Sequence, residues 1–152
     1  MIPQKFFVTS GKATSPTSEL NAFDLALKEA GIAQCNLVHV SSVLPPNCQQ
    51  IDIPPIPIGN ITHVVIARMD GAGGERISAG IAWSFGKGNG QGIVAEASGH
   101  MDEKELKNTL RSRVREMARA RDIKMGKISY RRETLDVPSG SYGCVMAALV
   151  YL

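Results

Sequence analysis

The chain has 152 residues, 43% hydrophobic and 20% charged, which suits one domain with a sizeable core and excludes a disordered polymer. Its net charge of +3 comes largely from "KNTLRSRVREMARARDIKMGK" and "YRRE", while only 5% of residues are aromatic and none lies inside the basic helix. That pattern reads as one solvated helix face, not as a nucleic-acid groove with stacking rings.

Cys35, Cys48 and Cys144 are widely spaced, form no CxxC pair and have no histidine at metal-ligand spacing. Three small core thiols in a reducing compartment are expected, with no disulfide framework and no metal. The N-terminus lacks the apolar stretch of a signal peptide, and "CVMAALVYL" is far too short to span a bilayer. A cytoplasmic protein follows as the expectation.

In chain order, a short strand near Lys5 to Thr9 leads into the loop "SGKATSPTS". Ser18 then caps a helix over "ELNAFDLALKEA" that stops at Gly31. A 3.6-residue wheel puts Leu20, Phe23 and Leu27 on its buried stripe, with Asp24 on the same stripe. A carboxylate there needs a partner, supplied by a local ion pair or cap, or by a bound ligand.

Next comes "CNLVHVSSVLPP", whose strand is cut short by Pro45-Pro46, and then the rigid connection "LPPNCQQIDIPPIPIGN". Strands are expected at "THVVIARMD", "ISAGIAWSFG" and "GIVAEASG". The pieces "GAGGER" and "GKGNGQG" between them lack GKS or GKT and do not lead from a strand into a helix, so they read as hairpin turns with positive φ. A long helix opens with Asp102 and Glu105 as a capping box, buries Leu106, Leu110, Val114 and Met117, and ends at Gly126. Strands "KISYRRETLDV" and "SYGCVMAALVYL" close the chain. The economical solution is α+β: a single-domain layered sandwich of mainly antiparallel sheet with two covering helices.

No serine sits in a GxSxG elbow, and His39, His63 and His100 have no evident triad partners; His39, on the face of Ser41, reads more simply as a sheet histidine. Glu96 shares its strand face with Val94 and Ser98, while Ile93, Ala95 and Ala97 line the other. If buried it would have a raised pKa and suit a proton donor; otherwise it is an outer-face glutamate.

The pair Ser41-Ser42 admits a rarer chemistry. A strained backbone would let the Ser42 hydroxyl attack the Ser41 carbonyl and exchange the peptide bond for an ester. Elimination and hydrolysis would then leave a pyruvoyl group at position 42 and a segment ending at Ser41. Asn36 could supply an amide to the oxyanion. A polar strand end is the ordinary alternative.

The chain resembles the pyruvoyl-dependent arginine decarboxylases over nearly its whole length, through "LNAFDLAL", "GIAQCNLVHVSSVLPP", "PPIPIG", "GERISAGIA", "IVAEASG" and "GCVMAALVY". The resemblance implies self-cleavage into residues 1–41 and 42–152, with Ser42 becoming the covalent pyruvoyl cofactor. It implies that Asn36 assists cleavage, that Glu96 is the proton donor, and that Asp24 and Leu20 contact L-arginine, Asp24 at the guanidinium. It also implies a homotrimer with sites between subunits, agmatine and CO2 as products, and a place in polyamine biosynthesis. One departure is "AQC" before the asparagine, where the family carries smaller residues. Two other readings remain open: the same chemistry on another amino acid, and an uncleaved, non-catalytic trimeric binding protein.

Overall fold

The computed structural model describes residues 1–88 and 90–152. Its elements run β1 (Lys5–Ser15), α1 (Glu19–Glu29), β2 (Asn36–His39), β3 (Val43–Leu44), β4 (Gln49–Gln50), β5 (Ile61–Ala72), β6 (Arg76–Phe85), β7 (Gly92–Gly99), α2 (Glu103–Ala120), β8 (Ser129–Asp136) and β9 (Tyr142–Tyr151). They form a five-stranded sheet in the order β2-β5-β9-β1-β4 and a four-stranded sheet in the order β3-β7-β6-β8. Among the described residues, only β1–β4 and β2–β5 are parallel.

The strands alternate apolar faces, so each sheet buries both sides and three cores result. Between the sheets, Phe6, Val65, Ala147 and Leu149 of the first meet Ile77, Ile81, Trp83 and Val94 of the second. On the outer face of the first sheet, Phe7, Val64 and Met146 pack under Ala22, Ala26 and Ala30. On the outer face of the second, Ile93, Ala95 and Ala97 pack under Leu106, Leu110, Val114 and Ala118. The result is a helix-sheet-sheet-helix sandwich, the expected α+β class.

Several local expectations are corrected. β1 continues through most of the Gly/Ser/Thr loop to Ser15, because β9 pairs with it along ten consecutive residues. The buried stripe of α1 is Ala22 and Ala26, continued by Ala30; Phe23 and Leu27 are half-buried, Asp24 is exposed and Leu20 is 72% exposed. Gly11 explains the shift: a Cβ there would lie 2.0 Å from the Ala26 carbonyl oxygen, so the helix rests on bare β1 backbone through its smallest side chains. The capping box of Asp102 and Glu105 forms, but α2 ends at Ala120, well before Gly126, and Met117 is only partly buried. Gly74 and Gly88 take positive φ in the expected turns; Asn89 of the second turn lies outside the described residues.

Candidate functional site

The two sheets are joined where the serine pair lies. β2 is the edge strand of the first sheet and β3 that of the second, so Val40, Ser41 and Ser42 carry the chain from one layer to the other. The strand expected to run into the prolines is therefore broken by a bend at Ser42 and resumes for two residues in the other sheet. Ser41 is exposed and Ser42 half-buried.

What fixes Ser42 is its attachment to β7. Val43 and Leu44 pair antiparallel with Ile93 and Gly92, and the Val94 N–H donates to the Ser42 carbonyl at 3.0 Å. Continuing up β7, Glu96 lies beyond the end of the short β3, where no further β3 residue covers it. Ser42 and Glu96 thus line one cavity of about 580 Å³, walled on the other side by Arg113, Glu116, Met117, Ala120 and Arg121 of α2 and its cap.

Glu96 is exposed at the mouth of the cavity in the single chain, not buried. Partial desolvation by the cavity walls still pushes its carboxyl above the ordinary carboxylate range, while the nearby charges of His39 and Arg113 pull it partly back. A raised carboxyl retains its proton closer to neutrality, as a donor at this place requires. Arg113 also reaches across from α2 to donate to the Glu96 backbone carbonyl. The basic helix face is therefore not merely solvated; its side nearest β7 forms a wall of the site. Only the position of Arg113 relative to β7 reveals this, and helical periodicity carries no signal for it.

The other sequence-derived candidates lie apart. Leu20, Asp24 and Asn36 do not line the cavity that holds Ser42 and Glu96. Asn36 opens β2, opposite Ile61, and its side-chain amide donates to the Gly59 carbonyl at 2.9 Å. Leu20 and Asp24 sit on α1, which packs on the outer face of the first sheet, whereas α2 and the cavity belong to the second. Within one chain the structure brings together Ser41, Ser42 and Glu96, with His39 close by, and separates them from the candidate substrate contacts.

Position 42 is a serine here; its Cα and Cβ stand for the ketone carbon and methyl carbon that a pyruvoyl group would have. The surroundings fit such a group. Its amide oxygen would be the Ser42 carbonyl already bonded to Val94, and residue 42 opens on a cavity shared with the Glu96 carboxyl. The three cysteines are free thiols, and no cluster suited to a metal occurs among the described residues. No helix among the described residues is long and apolar enough to cross a membrane.

Residues 5–152 match the model of the pyruvoyl-dependent arginine decarboxylase family. The chain is 34% identical to the protein of that name from Methanopyrus kandleri, over 99% of this chain and 97% of the relative. It is 35% identical to the one from Methanothermobacter thermautotrophicus, over 100% and 99%. The Pyrococcus furiosus protein of the same name is 31% identical, over 98% and 96%.

Proposed function

Because the chain belongs to the pyruvoyl-dependent arginine decarboxylase family, we propose that it cuts itself between Ser41 and Ser42 and uses the new end at residue 42 to decarboxylate L-arginine. Membership makes it a decarboxylase with a covalently held pyruvoyl cofactor. The assignment of residues rests on one observation above all: Ser42 is held at the junction of the two sheets by Val94, in a cavity it shares with Glu96.

Self-cleavage balances without any oxidant. The Ser42 hydroxyl attacks the Ser41 carbonyl carbon, the C–N bond breaks, and an ester joins Ser41 to the Ser42 Oγ. Loss of the Ser42 α-proton then breaks the Cβ–Oγ bond, releasing Ser41 as a carboxylate and leaving an enamine at position 42. One water enters, one ammonia leaves, and a ketone remains. The bend between two sheet edges provides the departure from extended geometry that the first attack needs. The Asn36 amide, bonded to Gly59 in the uncut chain, would have to exchange that partner to reach the oxyanion.

In turnover, the pyruvoyl group supplies an electrophilic ketone that draws off the electron pair freed as CO2 departs. Glu96, with its raised pKa, holds the proton that the product carbon receives. Arg113 anchors the β7 backbone at Glu96, and the Val94 N–H faces the amide oxygen at position 42, where negative charge grows. Asp24 would accept two parallel hydrogen bonds from the guanidinium, a geometry that ornithine and lysine lack. Agmatine and CO2 are the products, consistent with a role in polyamine synthesis inside the cytoplasm.

Asp24 is remote from Glu96 in one chain, so the complete site needs a second copy, and we take the assembly to be a trimer. Exposed apolar side chains support a subunit contact. Val38 (41% exposed), Val40 (38%), Val43 (41%) and Ile61 (66%) run along β2, its neighbour β5 and the serine segment, and Leu20 is bare on α1. Such a group along an edge strand calls for a partner.

Mass measurement of the denatured protein tests the reading. Two pieces are expected, one of residues 1–41 and one of 42–152 that lacks a free N-terminal amine. An intact chain that still releases CO2 from arginine removes Ser42 from the mechanism.

A further inference from the structure

The junction has a hydrogen bond from the far sheet that the reactions above do not use. Tyr151, the last residue of β9, projects into the core between the sheets and is 7% exposed. Its hydroxyl donates to the carbonyl of Val43 at 2.9 Å. β9 is the central strand of the first sheet, and Val43 lies on the edge strand of the second. The bond therefore spans the two layers and ends one residue after Ser42.

That edge is otherwise held by its pairing with β7 and by the buried Leu44 side chain. β3 is two residues long, and its backbone partners all belong to β7. Val43 is 41% exposed, so its side chain contributes a modest share of buried area; Leu44 beside it is fully buried. Once the bond between Ser41 and Ser42 is cut, residue 42 becomes a chain end, and chain ends fray unless something ties them down. Displacement by an ångström at the reacting carbon is enough to lose much of the benefit of orientation.

We propose that Tyr151 is a positioning residue: its hydroxyl clamps the Val43 carbonyl so that residue 42 stays in register beside Glu96 after cleavage. The clamp rests on the self-cleavage reading given above and extends it to the other sheet. Burial and the neighbouring Cys48 push the Tyr151 phenol up to about 12, so the hydroxyl keeps the proton it donates throughout the neutral range. Besides the Cys48 thiol on the loop, the titratable groups around this end of the site are His39 on β2, Glu96 on β7, and Arg113, Glu116 and Arg121 of α2 and its cap, and the phenol alone among them donates to the Val43 carbonyl. The phenol spans the interior of the sandwich, and β9, which carries it, is held by β5 of the larger piece as well as by β1 of segment 1–41.

Tyr151→Phe deletes the hydroxyl and keeps the ring in the core. Amide hydrogen exchange, followed by mass on the cleaved wild type and on Y151F, reads the clamp directly. The peptide beginning at residue 42 should exchange about tenfold faster in Y151F, the ratio expected from one neutral hydrogen bond, while peptides from α1 and β6 are unchanged. With arginine, kcat should fall about tenfold with KM within about twofold, since the guanidinium contact is untouched. Equal exchange at the residue-42 peptide in the two proteins, or a loss of kcat/KM carried by KM, overturns the proposal. In the wild type alone, exchange of that peptide much faster than of the one holding Ile93 and Val94 overturns it too, whatever the fate of the variant. A wild type that yields no 41-residue fragment refutes the cleavage reading instead; the exchange comparison still decides the clamp in the intact chain.

Discussion

Val94 and Ser42 are joined by a single backbone hydrogen bond of 3.0 Å, and that bond sets the distance along β7 from Ser42 to Glu96. Glu96 lies two positions along β7 from Val94, so Ser42 and the acid are placed by one rigid strand and not by two independent loops. The same bond points a donor at the oxygen of residue 42. In the proposed reaction, one contact would both position the residue and stabilise the negative charge developing on its oxygen.

Ser42→Ala retains this backbone contact and removes the hydroxyl proposed to attack Ser41. The variant should fold, remain a single chain of 152 residues by denaturing mass, and release no CO2 from arginine. Appearance of the 41-residue piece in S42A would assign the cut to another nucleophile or to a contaminating protease.

Glu96 sits above the usual carboxylate range, first because of desolvation, with His39 and Arg113 opposing. A proton donor works only while protonated, so kcat should hold at low pH and fall as pH rises through the elevated Glu96 pKa. Glu96→Gln should cleave normally yet lower kcat about a hundredfold, the low end for loss of a general acid. Arg113→Gln removes one of the opposing charges. The alkaline limb of its kcat profile should move to higher pH, whereas Arg113→Lys, keeping the charge, should leave the limb near its original place. A limb that ignores charge at position 113 argues that Arg113 only braces α2 against β7.

Gly11 lies under Ala26, where a Cβ would come 2.0 Å from a carbonyl oxygen. No rotamer relieves that contact, because a Cβ is fixed by the backbone and its partner is a backbone oxygen. Gly11→Ala should therefore destabilise the protein by about 3 kcal/mol, read as a lower urea midpoint. A midpoint within error of wild type would mean that α1 shifts away from β1 at little cost.

How much of this was legible in the sequence differs by residue. The sandwich was, because alternation in "GIVAEASG", the capping box at Asp102 and the apolar run of β9 are local signals. The α1 stripe was not: Leu20 looked buried on a wheel, but the glycine that selects alanines for the contact lies in β1, fifteen residues from Ala26. Ser42 and Glu96 were legible as separate oddities and through family resemblance. That they share a cavity depends on the register of β3 against β7, which no local pattern encodes. Arg113 and Tyr151 carried no signal at all, since each matters through a backbone carbonyl that any residue possesses.

The separation of Asp24 from Glu96 leads to the most discriminating experiment. Asp24→Ala should raise KM for arginine and change kcat little, since the guanidinium contact is remote from the reacting carbon. D24A and E96Q are each defective, in different halves of the proposed site. If one copy supplies Asp24 and its neighbour supplies Glu96, dissociating the two variants and reassembling them as a mixture creates some sites with both native residues. Random assortment of equal amounts gives about a quarter of sites fully native, so activity at low arginine should rise well above that of either variant alone. Variants mixed without dissociation should show no gain, which excludes simple addition of residual rates. Should reassembly restore nothing, Asp24 and Glu96 do not meet across a subunit boundary, and the exposed carboxylate on α1 serves another purpose.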